Sequence, residues 1–325
     1  MLGIVVVSLI SKNSLSMEKS TSRDNDAIRC LTVDSIKHQT AVGEINDKIS
    51  IYNNNNATKT KKSIKVATNF GCAVQFTNKG SQVATTSIED TDLLSYDIEC
   101  KQLLGRLMVS AHSVTTLAAT NLSSLVATVD NTNAYLCDLN KGKIVATFPQ
   151  TTQQYNLALS ISQDEQWIAN AQNMNTIYVW NTRKYSEPTI ILEQSGHWPY
   201  SVAFNPDNSL LASGGDNEDP GHYGYTYPVY LWDVSTGKIM YTFDDATNNI
   251  MKVKFSDDGA HLMCASMDNK VRVYEVATGE KVEEIDFWVT PFADFDVKNN
   301  EAVGQHNYEL QVKDIPLTKK HPHQD

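Results

Sequence analysis

No stretch of this sequence reaches 18 consecutive apolar residues, so no membrane-crossing helix is expected. Glycine is scarce, 15 residues in 325, which excludes collagen-like and glycine-linker chains. The five cysteines, Cys30, Cys72, Cys100, Cys137 and Cys264, include no CxxC pair and are odd in number. That works against a zinc ribbon or a thioredoxin-like site. Buried reduced thiols are the expectation, and with them a cytoplasmic or nuclear location. Basic charge is in deficit: 27 Lys+Arg stand against 38 Asp+Glu, net −11. Direct nucleic-acid binding is therefore not expected, because such affinity comes largely from phosphate neutralisation. Catalytic signatures are missing as well, with no GxSxG, HExxH, Walker-type or dinucleotide-binding glycine pattern. Neither an enzyme, nor a cofactor, nor a metal site is expected.

What is present can build a core, since 41% of residues are hydrophobic and only 20% are charged. The length suits two domains or one large all-β domain. Charge is uneven along the chain. Residues 1–110 hold 13 Lys+Arg and 11 Asp+Glu, whereas 207–286 hold 15 acids against 6 bases. The opening MLGIVVVSLI has no basic residue ahead of its apolar stretch, and its valine run favours a strand over a signal peptide.

One short pattern recurs: apolar, any, apolar, aromatic or its substitute, then small polar or acidic. It occurs at Ile49–Asn53, Leu93–Asp97, Ala134–Asp138, Ile177–Asn181, Val229–Asp233 and Val271–Glu275, with a weak copy at Leu310–Asp314. The anchors Tyr52, Tyr96, Cys137, Trp180, Trp232, Tyr274 and Lys313 lie 44, 41, 43, 52, 42 and 39 residues apart. A 40–45-residue period is that of a propeller blade. Around each anchor stand an alternating strand, a turn, a small-residue strand such as Leu210–Gly215, and a turn such as Ser235-Thr-Gly-Lys238 before a fourth strand.

These residues resemble the WD-repeat family. The resemblance rests on Gly196-His197 leading to Trp232-Asp233, and on the segments PDNSLLASGG and SDDGAHLMCAS. It is strong over 150–285 and only patterned over 28–149 and 286–316. It implies a seven-bladed β-propeller of four-stranded antiparallel blades, with Gly3–Ile10 supplying a closing strand. The domain division is then 1–27 as an N-terminal extension, 28–316 as the propeller and 317–325 as a polar tail. The family pattern also gives His197 a structural place. Asp268, six residues before Tyr274, takes the position of an acid that locks the blade through hydrogen bonds.

The resemblance further implies a non-catalytic scaffold, a subunit of a multiprotein complex and monomeric as a propeller within it. The alternative is a substrate receptor of a cullin-RING ubiquitin ligase. Ile168–Arg183 resembles the docking box of such receptors at Trp180 and Arg183, although Asn181 replaces its usual acid. The 52-residue spacing marks an insertion, Asp216–Pro228, between the second and third strands of blade five. Tyr223, Tyr225 and Tyr227 alternate within it, and tyrosine gives large contact area at low entropy cost. With Asp216, Glu218 and Asp219 they form the candidate partner site, and the acids favour a basic partner segment on blades five and six. Asn53–Lys65, which carries four lysines, reads as a polar loop between the third and fourth strands of blade one.

Overall fold

The computed structural model describes residues 28–315 apart from short loop stretches, the longest being 54–60, 150–155 and 218–226. Every regular element is a strand, and each sheet is an antiparallel meander in chain order. The local reason is alternation joined to turn chemistry. In blade six, Ile250–Phe255 is followed by Ser256-Asp-Asp-Gly259, where Gly259 adopts φ 71° and Asp258 accepts the N–H of Ala260 at 3.0 Å. His261–Ser266, Lys270–Glu275 and Lys281–Asp286 then complete the sheet.

The four-stranded sheets cover 28–65, 70–108, 116–149, 156–193, 197–243 and 250–286. Residues 293–314 form a sheet of three strands. First strands line the middle of the ring. Ala293–Asp296 packs between Ile250–Phe255 of blade six and Ile28–Asp34 of blade one, which closes the circle.

The expectation of seven four-stranded blades is corrected by this topology: the propeller has six. Among the described residues the last unit has three strands, the third being Glu309–Asp314. The expected closing strand, Gly3–Ile10, lies outside the described residues.

A second correction concerns the lysine-rich segment of blade one. Residues Lys61–Lys65 are not loop but the fourth strand, paired with Lys48–Tyr52. Ile64 of that strand is fully buried, in a cluster with Ile49, Ile51 and Tyr96.

The core lies between sheets, where third strands bury their anchors. Tyr52, Tyr96, Cys137, Trp180, Trp232 and Tyr274 are all buried on third strands, and Lys313 is exposed. Second strands must therefore be slim. At Gly214 a Cβ would come within 2.5 Å of the Ile250 side chain of blade six, and at Gly215 within 1.7 Å of the Trp198 carbonyl oxygen. Outer strands carry a repeated device. In blades two, three, five and six the fourth strand has a one-residue bulge at the level of the anchor. The bulged residues are Leu104, Val145, Met240 and Val282, each 42–50% exposed. Such bulges twist an edge out of reach of foreign strands, so the apolar residues stand singly in solvent instead of forming a ladder.

Candidate functional site

Two faces follow from the meander. Turns after first strands and turns after third strands share one face and are bonded to each other, as in Leu139 N–H to Ser124 O at 3.0 Å and Val234 N–H to Ser209 O at 2.9 Å. Turns after second strands lie on the opposite face, and so do the described ends of the blade-five insertion.

The insertion begins at the end of Leu210–Asn217 and returns at Val229–Asp233. Its acid Asp216 accepts a hydrogen bond from the Tyr200 hydroxyl at 2.9 Å, which ties the base of the insertion to the first strand of its own blade. Tyr227 is half-buried against the cluster of Ala212, Val229, Leu231 and Phe243. Glu218, Asp219, Tyr223 and Tyr225 lie outside the described residues.

Within blade five lies a polar seat in the core. The Trp232 indole N–H donates to Ser213 Oγ at 2.9 Å, and His197 Nε2 stands 3.1 Å from the same oxygen. The His197 ring meets Tyr230 edge-on at 4.8 Å. Burial pulls the His197 imidazole down to about 4, so it is neutral at physiological pH and lacks the solvent access of a catalytic base. Asp233, at the far end of the same third strand, accepts bonds from Thr236 N–H at 2.8 Å and the Ser235 hydroxyl at 2.7 Å. These bonds hold its carboxyl below the usual range and shape the turn.

Asp268 sits in the second–third turn of blade six. It accepts both terminal nitrogens of buried Arg272, at 2.7 and 3.2 Å, and the Thr247 N–H at 3.0 Å. Burial alone would raise its carboxyl, but the guanidinium and the backbone donor hold it low. Beside it Tyr274 stacks on Phe243, centroids 4.1 Å apart, and donates to Asp245 at 3.0 Å. Trp180 is fully buried against Phe148 and Tyr178, while Arg183 is exposed in the following turn. Of that pair, only Arg183 reaches the surface.

Three buried groups were not singled out by the sequence. Ser213 is one. Asp130 is another: it occupies in blade three the turn that Asp268 holds in blade six, and it accepts Thr132 N–H at 2.6 Å, Asn133 N–H at 2.7 Å and the Tyr135 hydroxyl at 2.9 Å. The signal for it was present, an acid immediately after a small-residue strand, but its anchor is a cysteine. The third is Asp294, on the short first strand of the last sheet. It accepts Val33 N–H of blade one at 3.0 Å and meets Lys252 and Lys254 of blade six at 3.4 Å each.

The profile described as "WD domain, G-beta repeat" matches residues 188–218 and 237–275, which cover most of blade five and much of blade six. Two stretches of the chain thus match the WD repeat. A WD repeat-containing protein SL1-17 of Schistosoma mansoni is 27% identical over 216 residues, covering 63% of this chain and 65% of that one. Periodic tryptophan protein 2 of Arabidopsis thaliana is 32% identical over 104 residues, 31% of this chain and 10% of its own. The chain thus spans less than two thirds of the length of these relatives. A chain from a structure titled "Crystal Structure of Mitotic Checkpoint Complex" superposes with TM-score 0.73 at 16% identity, covering 94% of this chain and 97% of its own. At that identity it speaks for the fold.

Proposed function

We propose that this WD-repeat chain is a non-catalytic protein-interaction scaffold, a subunit that holds other proteins in one assembly. The carrying observation is where the repeat departs from itself. Third-strand anchors are committed to the core, whereas the second–third connection of blade five alone is stretched by about ten residues and holds three alternating tyrosines. Rigid sheets presenting variable loops are suited to binding, and loop residues are where such function resides. Asp216, Glu218 and Asp219 give that loop an acidic base, which favours a basic partner segment.

Tyr227 is occupied with the blade, so the loop's exchangeable contacts belong to Tyr223 and Tyr225. In affinity purification with mass spectrometry, the double change Tyr223→Ser and Tyr225→Ser is expected to deplete partners at least about tenfold, the loss of two aromatic anchors. The thermal midpoint is expected to stay where it is. An unchanged partner list with intact folding refutes the role given to this loop.

A further inference from the structure

A cavity of about 780 Å³ runs along the first strands down the middle of the ring. It is lined by Thr32, Gln75, Tyr200 and Lys254 among others, and it reaches the face that carries the first–second and third–fourth turns, opposite the insertion. At that end its lining residues are Ile36 of blade one, Leu122 of blade three, Gln163 of blade four, Pro206 of blade five and Asp257 of blade six. Ile36 and Leu122 are each 40% exposed. Most other exposed large apolar residues stand on outer strands, away from any cavity. Two apolar side chains flanking a concave mouth form an anchor seat rather than ordinary surface scatter.

Charge on this face decides what the seat fits. Blades four to six present exposed Asp164, Asp207, Asp257 and Asp258 around the mouth. None of the four has a Lys or Arg partner within 4.0 Å among the described residues. Asp164, Asp207 and Asp258 accept bonds from serine hydroxyls and turn N–H groups, as in Asp207 with Ser209 at 2.9 Å and Asp164 with Gln166 at 3.0 Å. For Asp207 and Asp258 these bonds hold the carboxyl below its ordinary range, so both stay charged. Blades one and two instead present exposed Lys37 and Lys79. On the opposite face several acids are already engaged by Tyr200, Lys281 and Arg272.

The geometry points to a second docking site: this channel mouth takes an extended segment of another protein, with one apolar side chain seated between Ile36 and Leu122. Lysines or arginines following that residue would run over blades four to six. The acidic part of the rim, beside low-dielectric walls, attracts the opposite sign well before contact. An acidic segment would meet repulsion over half of the rim.

The probe is a fluorescein-labelled peptide, Gly-Ser-Gly-Leu-Lys-Ser-Lys-Gly-Lys, followed by fluorescence anisotropy at low salt. It is compared with one peptide in which Glu replaces every Lys and another in which Ser replaces Leu. The lysine peptide should bind at least about tenfold tighter than either control. Ile36→Ser with Leu122→Ser should weaken it about tenfold, and Asp257→Asn about threefold, the scale of one exposed charge pair. These side chains are exposed, so the variants should melt as the wild type does. Tyr223→Ser with Tyr225→Ser should leave peptide affinity unchanged, which separates this site from the insertion. Absence of binding, equal binding of lysine and glutamate peptides, or full affinity in the Ile36/Leu122 variant overturns the proposal.

Discussion

His197 makes the acid sensitivity of this propeller a single-residue question. The ring is buried and neutral, with its imidazole pulled down to about 4, whereas in the unfolded chain it titrates near 6.5. Above the unfolded value neither state is protonated there, so this group makes stability independent of pH. Between about 6.5 and 4 only the unfolded chain takes up the proton, so stability falls as pH falls, by about 3 kcal/mol in total. Asp207, Asp233 and Asp258, all held below the ordinary carboxylate range, lose their contribution only at lower pH still. His197→Asn removes the titration. Its thermal midpoint is lower at pH 7.5 because the Ser213 seat is disturbed, but its further decline down to pH 4.5 should be clearly shallower than that of the wild type. Parallel curves measured by calorimetry across that range would show that His197 does not govern it.

At the level of the strand, the second strand sets how closely blades approach. Two residues beyond the partner of each anchor stand Val42, Thr85, Thr128, Asn170, Ser213 and Cys264, all fully buried. Thr85 and Thr128 each return a hydroxyl to the carbonyl of their own first strand, Ala73 O at 2.9 Å and Thr116 O at 2.8 Å. A small polar residue in a buried strand was thus a visible signal, and it was legible as close packing though not as hydrogen bonding. The anchor spacing located every third strand because the apolar pattern ending in an aromatic residue or its substitute recurs there with a period that only repeats produce. Lys61–Lys65 escaped for the opposite reason. One buried isoleucine among lysines carries no periodicity, and tertiary contact with Ile49 decides the element. The unit at 293–314 has the period of a blade, yet a fourth strand is a matter of what pairs with its edge, which period does not encode. Gly214 tests the packing account directly. Gly214→Ala pushes a methyl into Ile250 of the next blade and should cost about 1–3 kcal/mol. Ile250→Val makes room and should recover part of that loss in the double variant, a coupling read from the three melting curves. Strictly additive losses would mean that the two side chains do not compete for the space.

For the whole molecule, the difficulty of a ring is its join. Among the described residues the three-stranded sheet is the thinnest part of the circle, and its first strand, Ala293–Asp296, must hold blade six on one side and blade one on the other. Asp294 does both from one buried carboxylate, taking the Val33 N–H on Oδ2 and the ammonium groups of Lys252 and Lys254 on Oδ1. Two cations on one oxygen are paired in part with solvent, since both lysines remain about a third exposed, so the backbone bond and the ion pairs contribute together. Removing the carboxylate leaves two ammonium groups facing each other in the channel wall and a buried N–H without its acceptor. Asp294→Ala should therefore destabilise by about 3 kcal/mol, and Asp294→Asn, which keeps an acceptor for Val33, by less. The location of the damage is the sharper reading. In hydrogen exchange followed by mass spectrometry, protection should fall first in 28–34, 250–255 and 293–296, while the first strands of blades three and four keep theirs. A uniform loss of protection around the ring would mean that Asp294 adds general stability without acting as its clasp.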